Sequence, residues 1–137
     1  MFVTTSRDPS SKARRFARTL ASYLSLPYVN RGKQRPGEDE TWLVVVEDHG
    51  NPAGLVKRTS EKVERLSFQL SGDTQARRLK KDVPKVVGEG TVALPIAQFF
   101  ELEWLGEAVP TQGRIIRAAS GNIDFMDEGQ AVFRLKT

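Results

Sequence analysis

The sequence predicts an α/β fold made of two similar halves, each with the order strand, helix and three strands. Apolar residues recur at spacings of three and four after Pro9, which indicates an amphipathic helix. A continuous apolar run at 42–46 and three apolar or alternating runs between 114 and 136 are typical of strands. Strands separated by helices in this order favour sheets with helical crossovers.

The first half is predicted to begin with a strand and a helix. β-branched and aromatic residues at 2–5 indicate the strand. Asp8 and Pro9 suit an N-cap and a first helical position, and the helix then continues to about Leu24. Residues 26–30 are predicted to return as a second strand. The buried face of the helix is predicted to consist of Ala13, Phe16, Ala17, Leu20 and Leu24.

Residues 42–70 are predicted to form further strands. The apolar run at 42–46 is typical of a strand covered on both faces, and a turn at 48–52 leads to a returning strand at 53–57. Leu66, Phe68 and Leu70 alternate with Ser67 and Gln69, so residues 63–70 are predicted to form a half-buried strand. The second copy of the motif is predicted to start near Val63.

The second half is predicted to contain a helix and three strands. Apolar side chains at helical spacing follow Pro95, and Gly106 is a suitable stop. The segment 72–90 stays open, because its apolar spacing suits a short helix whereas four neighbouring cations would repel one another along it. The helical residues are Ile96, Phe99, Phe100 and Trp104, and the strands lie at 114–119, 122–126 and 130–136.

The chain of 137 residues is expected to form a single domain, with one half at about 1–60 and the other at about 61–137. Its content of 39 % hydrophobic and 28 % charged residues is ordinary for a folded protein. No apolar run approaches the roughly 20 residues that cross a bilayer, and no apolar signal core follows Met1. We therefore expect a cytoplasmic protein with no membrane partner.

The composition argues against catalytic and metal chemistry. The chain has no cysteine and a single histidine, His49, which lies among turn-forming residues and is expected to be structural. No nucleophile elbow, phosphate-binding loop or dinucleotide fingerprint is present. We expect a protein that is not an enzyme, with no catalytic residue, cofactor, metal site or small-molecule substrate.

Positive charge is concentrated at the N-terminus. Residues 1–35 carry eight Lys or Arg and one acid, Asp8, whereas residues 36–137 carry 13 basic and 16 acidic side chains. A dense cationic patch without compensating carboxylates suits a polyanion. Arginine suits phosphate in particular, because its planar guanidinium donates two parallel hydrogen bonds. The predicted partner is RNA.

The candidate RNA-binding residues form two groups. At about 100° per residue, the cations of the first helix fall on the arc opposite its apolar face. In the segment 30–33, glycine lets the backbone approach a phosphate, although a strand-terminating turn with exposed cations explains the segment equally well. Tyr28 beside it is the aromatic residue proposed to stack on an unpaired base. The full set is Arg7, Lys12, Arg14, Arg15, Arg18, Tyr28, Asn30, Arg31, Gly32 and Lys33.

Three other features are assigned simpler roles or left open. The hydroxyls at 4–6 either offer an anion site at the helix N-terminus or include a capping Ser6. The cations between 77 and 85 are interpreted as a solvated loop rather than a second RNA contact. Phe99 and Trp104 are interpreted as members of the helical core face.

Three short segments carry a family resemblance: TTSRDPS at 4–10, YVNRGK at 28–33 and HGNPA at 49–53. In this order and spacing they resemble the short archaeal members of the Brix domain family of ribosome-biogenesis proteins. The resemblance covers residues 1–57. It implies a duplicated α/β fold, each half similar to the anticodon-binding domain of class II aminoacyl-tRNA synthetases. It also implies a non-catalytic role in ribosomal RNA processing or subunit assembly.

The sequence departs from this family at two points. The segment 34–37 contains proline and glycine and does not suit the short helix that follows NRGK in the family. The central glycine-proline-threonine segment of longer relatives has no clear counterpart.

The predicted function is therefore that of a non-catalytic, RNA-binding ribosome-biogenesis factor. Its expected partners are ribosomal RNA or its precursor, together with other ribosome-assembly proteins. The alternative is a protein-interaction module that docks an acidic partner through the basic face.

Overall fold

The computed structural model describes residues 1–30, 37, 39–71 and 79–137, which divide into two compact units. Within the described ranges, unit 1 contains residues 1–69 and 79–81, and unit 2 contains residues 70–71 and 82–137. These residues form two helices and two sheets, which is a mixed α+β fold. Neither helix is long and apolar enough to span a membrane.

Unit 1 consists of a four-stranded sheet and one helix. Its elements are β1 Phe2–Thr5, α1 Ser11–Leu24, β2 Trp42–Asp48, β3 Asn51–Arg58 and β4 Val63–Ser67. The strands lie in sequence order; β1 and β2 are parallel, and the remaining neighbours are antiparallel. α1 therefore forms the crossover that a parallel pair requires. Residues 42–45 of β2 are no more than 3 % exposed, so the prediction of a strand covered on both faces is confirmed for them, whereas Val46 at the end of the predicted run is half-buried.

α1 packs through the predicted apolar face. Ala13, Phe16, Ala17 and Leu20 are fully buried, and Thr19 and Tyr23 extend the buried surface beyond the predicted set. The predicted start of the helix is wrong. Ser10 is the N-cap, and its Oγ accepts a hydrogen bond from the backbone N of Ala13 at 3.1 Å.

Tertiary contacts explain the choice of cap. The backbone N of Ser10 donates to Glu47 Oε1 at 2.5 Å, and Ser10 Oγ donates to the carbonyl of Gly50 at 2.8 Å. Glu47 lies near the end of β2 and Gly50 lies in the β2–β3 turn, both more than 35 residues away in the chain. Asp8, the predicted cap, has a positive φ of 54° in the loop before the helix.

The predicted strand at 26–30 is reduced to one parallel bridge between Val3 and Tyr28. Val3 N donates to the carbonyl of Pro27, and Val29 N donates to the carbonyl of Val3, both at 2.9 Å. Proline itself has no N–H to extend the pairing. The segment nevertheless holds Tyr28 beside the edge of β1.

The strands of the second sheet are β5 Gln69–Ser71, β6 Lys85–Val87, β7 Arg114–Ala119, β8 Asn122–Asp127 and β9 Gln130–Lys136. They lie in the order β5-β9-β8-β7-β6. α2 Gly90–Phe100 joins the parallel pair β6 and β7. The aromatic core between α2 and this sheet includes Phe100, Phe125 and Phe133, with ring centroids 5.9 Å apart for the first two and 4.3 Å apart for the last two.

The second helix and its surroundings differ from the prediction. α2 begins at Gly90, ahead of Pro95, which lies inside the helix on its exposed side. The helix ends at Phe100, because Glu101 adopts a left-handed conformation and its N–H bonds back to the last turn. Trp104 lies beyond the helix and forms a bridge with Val86, so its assignment to the helical core face is wrong. β6 was not predicted, because three residues are too few to show a period.

The order strand, helix and three strands occurs in both sheets, and equivalent hydrogen bonds recur at the ends of the two helices. Leu26 N donates to Ala21 O at 2.9 Å, and Leu102 N donates to Ala97 O at 2.8 Å, 76 positions later. Both helices are followed by a left-handed residue and then by a bridge to the strand that directly precedes the helix. The segment after α1 is therefore equivalent to the segment after α2.

The second copy begins at β6, not near Val63. The predicted strand at 63–70 is interrupted at Phe68, whose N–H donates to the carbonyl of Ala53 at 3.0 Å. β4 before this residue pairs with β3 of the first sheet, whereas β5 after it pairs with β9 of the second. One alternating segment thus serves two sheets, which its periodicity alone does not show.

Candidate nucleic-acid interface

The exposed side of α1 carries four of the predicted cations. Arg14, Arg15 and Arg18 lie within an arc of about 100° opposite the buried face, and all three are exposed. Lys12 is also exposed but is turned toward the β2–β3 turn, where its Nζ lies 3.3 Å from Asn51 Oδ1. Arg7 is exposed in the loop between β1 and α1. We call these five cations the basic face.

The basic face is not neutralised by the described part of the chain. Its charged nitrogens form no ion pair within 4.0 Å with any described carboxylate. Other cations are paired: Lys62 with Glu64 at 3.1 Å, and Lys85 with Glu103 at 3.0 Å. The basic face therefore keeps the electrostatic potential that a polyanion would meet.

Tyr28 and Asn30 connect to the basic face through Arg18. The guanidinium carbon of Arg18 lies 5.5 Å from the centroid of the Tyr28 ring, within the range of a cation–π interaction. The Tyr28 hydroxyl lies 3.2 Å from Asn30 Oδ1. The ring is half-buried and Asn30 is exposed. The structure thus joins three predicted residues into one cluster of cation, ring and amide.

The start of α1 does not provide the anion site considered for the hydroxyls at 4–6. Thr4 and Thr5 are buried, and Thr4 Oγ1 donates to the carbonyl of Val29 at 2.5 Å. Ser6 does not cap the helix, since Ser10 holds that position. The carboxylate of Glu47 already accepts the backbone N–H of Ser10. A phosphate at this helix terminus would have to displace it.

Arg31, Gly32 and Lys33 lie outside the described residues, so their proposed contact with phosphate stays a prediction. Asn51, in contrast, was missed as a neighbour of the basic face. It belongs to the HGNPA segment, and its position in a turn was recognised, but its proximity to Lys12 depends on how β2 and β3 pack against α1.

The two units differ in charge. The described residues of unit 1 carry 11 Lys or Arg and 7 Asp or Glu, whereas those of unit 2 carry 5 and 8. The net positive charge of the described residues thus belongs to unit 1.

Within the same ranges, no three His, Asp or Glu side chains are grouped so as to hold a metal ion.

Comparison with known proteins shows that the chain is similar to archaeal proteins named as ribosomal biogenesis proteins. No family model matches the chain. It is 29 % identical over 148 residues to a protein of Methanosarcina mazei named "probable Brix domain-containing ribosomal biogenesis protein", covering 98 % of this chain and 94 % of that one. A protein of the same name from Archaeoglobus fulgidus is 39 % identical over 93 residues, covering 64 % of this chain and 59 % of that one.

A solved structure agrees with these relatives. The crystal structure of Mil, an archaeal Imp4-like protein, matches with a TM-score of 0.75 at 25 % identity, covering 99 % of this chain and 95 % of that one. The chain is therefore a homologue of the archaeal Brix domain-containing proteins. The family resemblance predicted from the three short segments is confirmed.

Proposed function

We propose that the chain is a ribosome-biogenesis factor that binds ribosomal RNA, or its precursor, through the basic face. The supporting observation is that five exposed cations form no ion pair with the described carboxylates. Phosphate contacts supply most of the affinity for a single-stranded RNA, and arginine provides the bidentate geometry. The homologues named as ribosomal biogenesis proteins support this context.

The Arg18–Tyr28–Asn30 cluster adds a contact for an unpaired base. An aromatic ring at the edge of a cationic surface can stack on a base, and the neighbouring amide offers a donor and an acceptor to its edge. The role we assign is one of binding, because these groups hold and orient RNA. We expect the RNA segment and other assembly proteins to be the partners.

Crosslinking of the full chain to RNA in cell extract, followed by sequencing, tests the proposal. We expect enrichment of ribosomal RNA or its precursor over total RNA. The matched control is the variant Arg14→Ala, Arg15→Ala, Arg18→Ala, which should lose most of the crosslinked RNA. Equal recovery of RNA with both proteins would contradict binding through the basic face. A protein complex that persists after nuclease treatment, with no RNA attached, would favour an acidic protein partner instead.

A further inference from the structure

Unit 2 repeats the motif of unit 1 but carries a different surface. The 76-residue correspondence places Gly90, Thr91 and Leu94 of α2 at the positions of Arg14, Arg15 and Arg18. Residues 86–113 contain four glutamates and no lysine or arginine. This surface would repel the phosphates that the basic face attracts. The equivalent region of unit 2 is therefore suited to a different class of partner.

A groove of about 320 Å³ lies beside the start of α2. Apolar side chains of Val92, Val109 and Ala118 line it, and Val109 is 50 % exposed. The carboxylates of Glu89 and Glu107 also border the groove, and both residues are exposed. The remaining lining residues are Gly88, Arg117, Ala119 and Ser120.

The groove is held in shape by contacts on its Gly88 side. Trp104 Nε1 donates to the carbonyl of Gly88 at 2.9 Å, and Gly88 N donates to the carbonyl of Gly106 at 2.9 Å. A side chain at position 88 would place its Cβ 2.1 Å from the carbonyl oxygen of Ala118. The backbone here approaches its neighbour too closely for any residue but glycine, so the groove has a defined wall.

We propose that this groove binds a lysine- or arginine-rich segment of a partner protein, with one aliphatic side chain inserted between Val92 and Val109. Charge complementarity selects this occupant. Among the residues that line the groove, the two carboxylates of Glu89 and Glu107 outnumber the single cation, Arg117. An aliphatic anchor would bury the half of Val109 that is exposed.

An NMR titration of the ¹⁵N-labelled full chain with a nine-residue peptide tests the proposal. The peptide has a central leucine, two lysines on each side of it, and one glycine and one serine at each end. We expect the amide signals of Glu89, Val92 and Val109 to shift. A peptide with serine in place of leucine should bind at least about tenfold more weakly, because the aliphatic contact is lost. A peptide with glutamates in place of lysines should cause no shift at these residues.

Variants assign the contribution of each part of the groove. Glu89→Gln combined with Glu107→Gln should weaken binding of the leucine peptide about fivefold, as expected for two exposed charge pairs. Val109→Asp should weaken it at least tenfold and is tolerated by the fold, because the side chain is exposed. Glu61→Gln removes one exposed charge in unit 1 and should leave the affinity unchanged.

Three results would overturn this assignment. The first is that the peptide, at saturation, shifts amide signals elsewhere and none of those lining the groove. The second is that a single-stranded RNA oligonucleotide shifts the groove signals more strongly than the peptide does. The third is self-association in sedimentation that Glu89→Gln combined with Glu107→Gln abolishes, which would make a second copy of this chain the occupant. Loss of RNA binding at the basic face would leave the groove proposal unaffected, since it rests on unit 2.

Discussion

Replacing Arg14, Arg15 and Arg18 by alanine tests the basic face most directly. The side chains are exposed and form no ion pair with described carboxylates, so their removal leaves no buried charge behind. Alanine has the higher helix propensity, which supports α1. The one described contact that is lost is that of Arg18 with the Tyr28 ring, a contribution of about 0.5–1 kcal/mol. We expect the free energy of unfolding to change by no more than about 1 kcal/mol.

The same three substitutions are expected to affect RNA binding much more than they affect stability. Five phosphate contacts to a single-stranded RNA give a slope of about −3.5 for log K against log[salt], because each contact contributes about 0.7. Removing three contacts reduces the slope to about −1.4. At 0.1 M salt the same three contacts correspond to roughly a 100-fold loss of affinity.

Filter binding of a single-stranded RNA oligonucleotide, titrated over a range of salt concentrations, measures both quantities. The matched control removes three cations from the β3–β4 hairpin: Arg58→Ala, Lys62→Ala and Arg65→Ala. We expect the control to keep the steep slope. A flat salt dependence for the unmodified protein, or an equal loss in the control, would refute the reasoning, since affinity would then follow total charge or no charge at all.

Three further predictions concern stability and are measured by urea denaturation. Ser10→Ala should lower the free energy of unfolding by about 1 kcal/mol or more, because the N-cap hydroxyl bonds the helix start; an unchanged midpoint would show that the cap contributes nothing. Thr19→Val should raise it by about 1 kcal/mol, because the buried Oγ1 has no hydrogen-bond partner among the described residues; a loss would reveal a partner. Gly88→Ala should lower the free energy of unfolding by about 3 kcal/mol, because the new Cβ would clash with the carbonyl of Ala118. The control Gly121→Ala, at a positive φ with open space around it, should lower it by only about 1 kcal/mol. Equal effects of the two substitutions would contradict the clash.

Much of the fold follows from local patterns. α1 was located by the spacing of Ala13, Phe16 and Leu20, and the bounds of β7 and β9 match the predicted strands. Periodicity succeeds here because each element buries one face against the rest of its unit, so apolar positions repeat with the element's own geometry. The outward direction of Arg14, Arg15 and Arg18 follows from the same geometry.

Three features of the fold could not be predicted from the local spacing of apolar residues. β6 has three residues, and α2 begins ahead of Pro95, a residue that normally marks a helix start. The predicted strand at 63–70 contains a clear alternation at 66–70, yet the interruption at Phe68 divides the segment between two sheets. Pairing partners decide these cases, and they are distant in the chain.

By itself, the sequence determined that the chain has a cationic N-terminal helix, alternating helix and strand patterns and a Brix family resemblance, because composition, spacing and short motifs are local properties. The sequence predicted a duplicated order of elements, but only the tertiary structure showed that the second copy begins at β6. Only the tertiary structure decided that Ser10 caps α1, that Arg18 lies over Tyr28, and that Val92, Val109 and two glutamates line one groove. These are contacts between segments far apart in the chain. Their geometry is set by packing, which selects among local conformations that differ by only about 1 kcal/mol per residue.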